Sequence, residues 1–221
     1  MSAKSTGHSR KRVVVHEADE RKIWAALQRW ASTEDFVALR TRAMIALLWD
    51  GALHVRAAVD LNIEELASLS RGQIEVAQEA RQRPCEGNRY KARNFPLSER
   101  TRDALGTYLE VVLRDGWLPG AGLQGPLFLS SRHHGRGRRV SRRTAVHSWR
   151  TFQQDHVKLS REYQLDDIVF TARLAFLQAG SDPELLSEHA GFSELTATRH
   201  RTALQSQGAL RGATSRSSKK A

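Results

Sequence analysis

Apolar residues along this chain recur mostly at helical spacing. Ile23, Trp24, Leu27 and Trp30 fall on one helical face, and a second apolar face runs from Val37 through Met44 to Leu48. The Asp50-Gly51 pair breaks that pattern, and a short helical stretch follows. Gln73-Ile74-Glu75-Val76-Ala77 and Arg93-Asn94-Phe95-Pro96-Leu97 predict strands, joined by a polar connection holding Pro84, Gly87 and Asn88. Ser98 is placed to cap a helix whose inner face is Leu105, Tyr108, Leu109 and Val112. A Gly/Pro loop over residues 116–125 leads into Leu127-Phe128-Leu129. Ser141 caps a further helix, with Val146, Trp149 and Phe152 inside and Arg142, Arg143 and Arg150 outside. More helices are predicted from about Asp167 to Ala179, from Pro183 to His189, and from Ser193 towards Leu204. Trp24, Trp30, Trp49 and Trp149 lie on apolar faces and are expected in the core, with Trp117 the exposed one. The expected class is mainly α with a small antiparallel β-sheet, an α+β fold. One domain at 19–205 is expected between basic flexible tails at 1–18 and 206–221.

Composition narrows what such a fold does. A chain of 221 residues, 40% hydrophobic, has enough apolar matter for one sizeable core. The single Cys85 excludes an internal disulfide framework and fits a reducing compartment. The N-terminus lacks the apolar stretch of a signal peptide, and no apolar run is long enough to span a bilayer. Against 24 acidic residues stand 35 Lys and Arg, a net charge of +11. The excess is concentrated: Arg132, Arg136, Arg138, Arg139, Arg142, Arg143 and Arg150 lie between Ser130 and Arg150 without one acid. A folded domain tolerates that self-repulsion most easily when its partner is a polyanion, and Arg suits bidentate phosphate contact. Nucleic acid is the expected partner. No metal is expected, since His133, His134 and Cys85 lack ligand spacing. No cofactor is expected either: Gly120 to Gly125 is not followed by Gly-Lys-Ser/Thr, so it is no phosphate-cradling loop.

Four stretches in consistent order carry a resemblance. Arg40 through Trp49-Asp50-Gly51-Ala52-Leu53, with Asp60 to Leu66, resembles the opening of the catalytic domain of tyrosine recombinases, the phage-integrase family. Lys91 to Leu97 is similar to the third strand of that domain's small sheet. Pro126-Leu127-Phe128-Leu129 followed by Ser141 to Thr144 resembles the family's next stretch, and Gln178 to Leu186 through Gly191 to Thr198 its last two helices. The resemblance covers roughly residues 20 to 204 and implies a tyrosine-recombinase catalytic-domain-like fold.

It also implies a chemistry to check. Members of that family attack a DNA phosphodiester with a tyrosine, while arginines, a lysine and histidine-type residues steady the charge. The family's first arginine falls on His54 here, its hairpin lysine on Asn88, and its His-x-x-Arg pair on Asp166 and Val169. Its later histidine falls on Phe192 and its nucleophile on Arg201. The tyrosines of the chain are Tyr90, Tyr108 and Tyr163, all before the Gly191-Phe192 segment. The expectation is therefore a chain that is not an enzyme and has no catalytic residue. Arg89, Lys91, Arg93, Arg136, Arg138, Arg139, Arg142, Arg143, Arg150 and Arg201 are expected to face DNA. The basic segment from Lys4 to Arg12 is placed to follow a groove. The role implied is a site-specific regulator or accessory factor in transcription, recombination or mobile-element maintenance, in a cytoplasmic, nucleoid-associated setting. Two alternatives stay open. One is a DNA-cutting enzyme rebuilt around His54, Arg56 and His200. The other is an interaction module whose partner is an active recombinase, or a second copy of the chain.

Overall fold

Helices form where the apolar period is sustained. The computed structural model describes residues 12–70, 73–82, 93–118, 123–131 and 135–178. Its helices are α1 (Glu17–Ala31), α2 (Phe36–Gly51), α3 (Val55–Asp60), α4 (Glu99–Arg114), α5 (Arg142–Asp155) and α6 (Leu165–Gln178). α2 is buried almost all round, as a helix with apolar residues on every face must be. It is the central helix, and α1, α4, α5 and α6 pack around it. Asp35 starts it by accepting a hydrogen bond from the Ala38 N–H at 2.9 Å. It ends at Ala52 in the left-handed region, φ 47°. A Cβ on the preceding Gly51 would lie 2.8 Å from both Leu53 and the Phe95 ring, so glycine is what lets α2 end so close to the strands.

The strands depart from the predicted pairing. Residues 73–77 and 93–97 do contain strands, β2 (Gln73–Val76) and β4 (Arg93–Pro96), yet they do not pair with each other. β2 pairs antiparallel with β1 (Ala67–Ser70), and β4 pairs with β3 (Glu79–Gln82), placing Leu69 opposite Ile74 and Ala80 opposite Phe95. The nearer partner costs less chain entropy to bring alongside. Ser98 and Ser141 cap α4 and α5 as expected, accepting from the Thr101 and Thr144 N–H groups at 3.3 and 3.1 Å. The helices predicted at 183–189 and 193–204, and the tail at 206–221, lie outside the described residues.

The expected flexible tail at 1–18 is fixed at its far end. Residues 12–16 lead directly into α1, which begins at Glu17. Asp19 anchors that helix, accepting hydrogen bonds from the Ser160 N–H and hydroxyl and from the Tyr163 hydroxyl, the last at 2.9 Å. Burial pushes the Asp19 carboxyl up, but these hydrogen bonds outweigh it and hold the group below its ordinary range. Trp149 is buried in the core, whereas Trp24, Trp30 and Trp49 are half-buried at its edge. Trp117 is not an exposed aromatic. It stacks on Phe36 at 3.7 Å between ring centroids and is covered from the other side by Arg136. No helix among the described residues is long and apolar enough to cross a membrane.

Candidate nucleic-acid interface

The arginine-rich stretch begins on a rigid turn. Leu127 and Leu129 are held from within the core, their N–H groups donating to the Leu61 carbonyl at 2.9 Å and the Tyr108 hydroxyl at 3.0 Å. The chain then doubles back, Ser130 donating to the Arg138 carbonyl at 2.7 Å and Val140 to the Phe128 carbonyl at 2.8 Å. Gly137 makes the turn possible, with φ +74° and its Cβ position 2.4 Å from the Trp117 carbonyl oxygen. α5 follows at once. Ala145, Ser148, Trp149 and Phe152 are buried on its inner face, while Arg142, Arg143, His147 and Arg150 are exposed on the outer one.

These arginines separate into three kinds. Arg139 is occupied inside the protein: its guanidinium donates to the Val59 carbonyl at 2.7 Å, to the Leu61 carbonyl at 2.8 Å and to the Asn62 side chain. It ties the segment after α3 to the turn before α5, which corrects its expected place on the DNA face. Arg136 is partly engaged, over the Trp117 ring at 4.5 Å. The other described ones point outward. Arg142 pairs with Asp166 at 3.5 Å and Arg150 with Glu162 at 3.5 Å, both pairs at the surface. Arg138 and Arg143 are exposed and form no ion pair with any described residue. Arg89, Lys91 and Arg201 lie outside the described residues, and Arg93 opens β4 opposite Gln82.

Beside α5, the start of α6 and the α2–α3 turn converge. His54 caps α3, its Nδ1 accepting from the Arg56 N–H at 3.2 Å. Burial pulls the His54 imidazole below its ordinary range; Asp166 opposes that shift, and Arg142, Arg173 and Arg12 reinforce it. Asp166 also faces Arg142, so His54 and the carboxylate that acts on it lie within a basic surround. A cleft of about 170 Å³ opens there, with Val55, Arg142, Arg150, Glu162 and Asp166 in its wall. Arg173, buried on α6, donates to the Ala52 carbonyl at 3.3 Å and so braces the left-handed turn that presents His54. Arg56 pairs with Asp60 one helical turn on, at 3.9 Å. Val169 is packed in the core; Asn88, Phe192, Arg201 and His200 lie outside the described residues.

Sequence reasoning missed Arg173 and Arg40. Arg40 is buried on α2 and donates to the Leu129 carbonyl at 2.7 Å and the Ser148 hydroxyl at 3.0 Å, supporting the turn and α5 from behind. Both had a visible signal: each is a charge inside an otherwise apolar helical run. Two tyrosines are also committed. Tyr108 and Tyr163 are buried, and burial pushes both phenols up. Among the described residues no three His, Cys, Asp or Glu side chains stand together as metal ligands.

No family model matches the sequence, and no match is found among curated proteins. Solved structures match its fold. The crystal structure of XerA recombinase is 17% identical with a TM-score of 0.64, covering 95% of this chain and 66% of that one. XerH site-specific recombinase, in a post-cleavage complex with palindromic difH substrate, is 14% identical with a TM-score of 0.65, covering 96% and 55%. The Tn1549 transposon integrase in complex with a circular intermediate DNA is 15% identical with a TM-score of 0.58, covering 87% and 62%. This chain therefore spans between 55% and 66% of the length of those proteins and has a tyrosine-recombinase catalytic-domain-like fold. The expectation of a chain that is not an enzyme is overturned here: the proteins sharing this fold are recombinases and integrases.

Proposed function

We propose that this chain, on its tyrosine-recombinase catalytic-domain-like fold, grips double-stranded DNA with the outer face of α5 and the turn before it. The role is in site-specific recombination, or in maintenance or transcription of a mobile element, alongside a second copy of the chain or an active recombinase. The observation that carries the reading is the placement of Arg138 and Arg143, exposed and facing no described acid, beside Arg142 and Arg150. Exchanging the last two from surface carboxylates to phosphate costs little, because an exposed ion pair contributes about 1 kcal/mol at most. Each phosphate neutralised releases condensed counterions, and the gain grows as salt falls. XerH and the Tn1549 integrase, which share the fold, were both solved with DNA, and this supports a nucleic-acid partner. Binding of a duplex of about 25 base pairs, measured across a salt series, tests the reading. The double variant R138Q/R143Q should lower the slope of log affinity against log salt by about 2 and leave thermal stability unchanged. A slope equal to that of the parent would end the proposal.

A second reading, strand cleavage, is favoured by the post-cleavage XerH complex. By tyrosine chemistry it narrows to Tyr90, since Tyr108 and Tyr163 are enclosed in the core. A nicked duplex that traps cleavage products should then yield a covalent protein–DNA adduct that Y90F abolishes. DNA retained without any adduct would leave the gripping role standing alone.

A further inference from the structure

We infer that Arg12 is a phosphate-contacting residue of the DNA face, delivered there by a strap of residues 12–15 laid along α6. The inference rests on the DNA-binding reading above and adds a site on a different part of the chain. The Val13 N–H donates to the Asp167 carboxylate at 2.9 Å, and the Val15 N–H donates to the Thr171 hydroxyl at 2.9 Å. The two spacings match. Two residues of extended chain advance about 6.6 Å, and the four residues from Asp167 to Thr171 advance about 6 Å along the helix. The strap thus runs in the same direction as α6, with Val15 buried beneath it. One step back from Val13 brings the exposed Arg12 to the start of α6, where Asp166 faces Arg142. Arg12 is also close enough to His54 to oppose its protonation, as Arg142 and Arg173 do. Three guanidinium groups, of Arg12, Arg142 and Arg173, against the carboxylates of Asp166 and Asp167 leave a positive excess, and an anion completes the site. A bound phosphate at that point extends the DNA face from α5 onto the N-terminal strap.

The salt series on the whole chain tests this. R12Q should lower the slope by about 1, because one phosphate contact is lost. T171V removes the acceptor that seats Val15 and should lower the slope similarly, and R12Q/T171V should fall no further than R12Q alone. R29Q, which removes one positive charge at the far end of α1, should leave the slope unchanged. If R12Q keeps the parent slope while R143Q lowers it, the strap proposal fails and the DNA face stands. If R12Q lowers the slope and T171V does not, Arg12 contacts DNA but the strap does not deliver it, and that part of the inference is overturned. If R143Q also changes nothing, the DNA-binding reading itself has failed.

Discussion

His54 stands where Asp166, Arg142, Arg173 and Arg12 meet, so its proton reports what binds there. In the folded chain, burial lowers its pKa, the three arginines lower it further, and Asp166 alone among them raises it. The unfolded chain therefore takes up this proton more readily. Its contribution to stability is full above the unfolded pKa and is lost as pH falls towards the folded one. A DNA phosphate reverses part of the shift, because it neutralises the arginines that oppose protonation. The complex then binds more protons than the free protein, and by linkage affinity must rise as pH falls through that range. In an NMR titration the His54 ring signals should move to a higher midpoint when duplex is added. H54N should flatten the pH dependence of affinity, and a midpoint indifferent to DNA would separate His54 from the interface.

At the scale of elements, one arginine-rich stretch divides into pieces that hold the fold and pieces that face outward. Arg139 bridges the segment after α3 to the turn before α5 through three acceptors. Removing hydrogen bonds from a charged donor costs about 2 kcal/mol, or roughly 4–8 °C in melting temperature for a domain of this size. R139Q should show that loss in thermal unfolding while its salt slope stays at the parent value, the opposite of R138Q/R143Q. Nothing in the sequence separates Arg138 from Arg139. The difference is made by carbonyls of Val59 and Leu61, which only the folded chain brings near. The helices were legible because their apolar period runs over 14 to 16 residues in α1, α2, α4, α5 and α6. β1 and β3 were not, since Ala67-Ser68-Leu69-Ser70 and Glu79-Ala80-Arg81-Gln82 carry too few apolar positions to alternate. That His54 and Asp166 belong to one neighbourhood was legible through the family resemblance, since both fall on family catalytic positions. The roles of Arg40 and Arg173 depended on partners distant in sequence.

For the molecule as a whole, where the charge lies matters more than its total. Eight of the eleven net positive charges fall on residues 1–16 and 205–221, where no acid occurs, so residues 17–204 carry a net of three. Residues 130–150 alone hold seven arginines and no acid, which leaves the rest of 17–204 with a net of four negative charges. Along the sequence the charge is thus uneven, with a concentrated positive stretch reaching into α5 and a mildly acidic remainder. A concentrated positive stretch attracts a polyanion and so orients its approach before contact. Orientation is not sequence selection, however: phosphate contacts fix register, and base edges carry the code. On the proposed DNA face, Arg143, His147 and Arg150 share one row of α5 at spacings of four and three residues, as side chains entering a groove together must. Strength of binding and choice of site therefore reside in different residues. The turn, the strap, Arg143 and Arg150 are placed to supply the first, and His147, between those two arginines on the outer row of α5, is placed to supply the second.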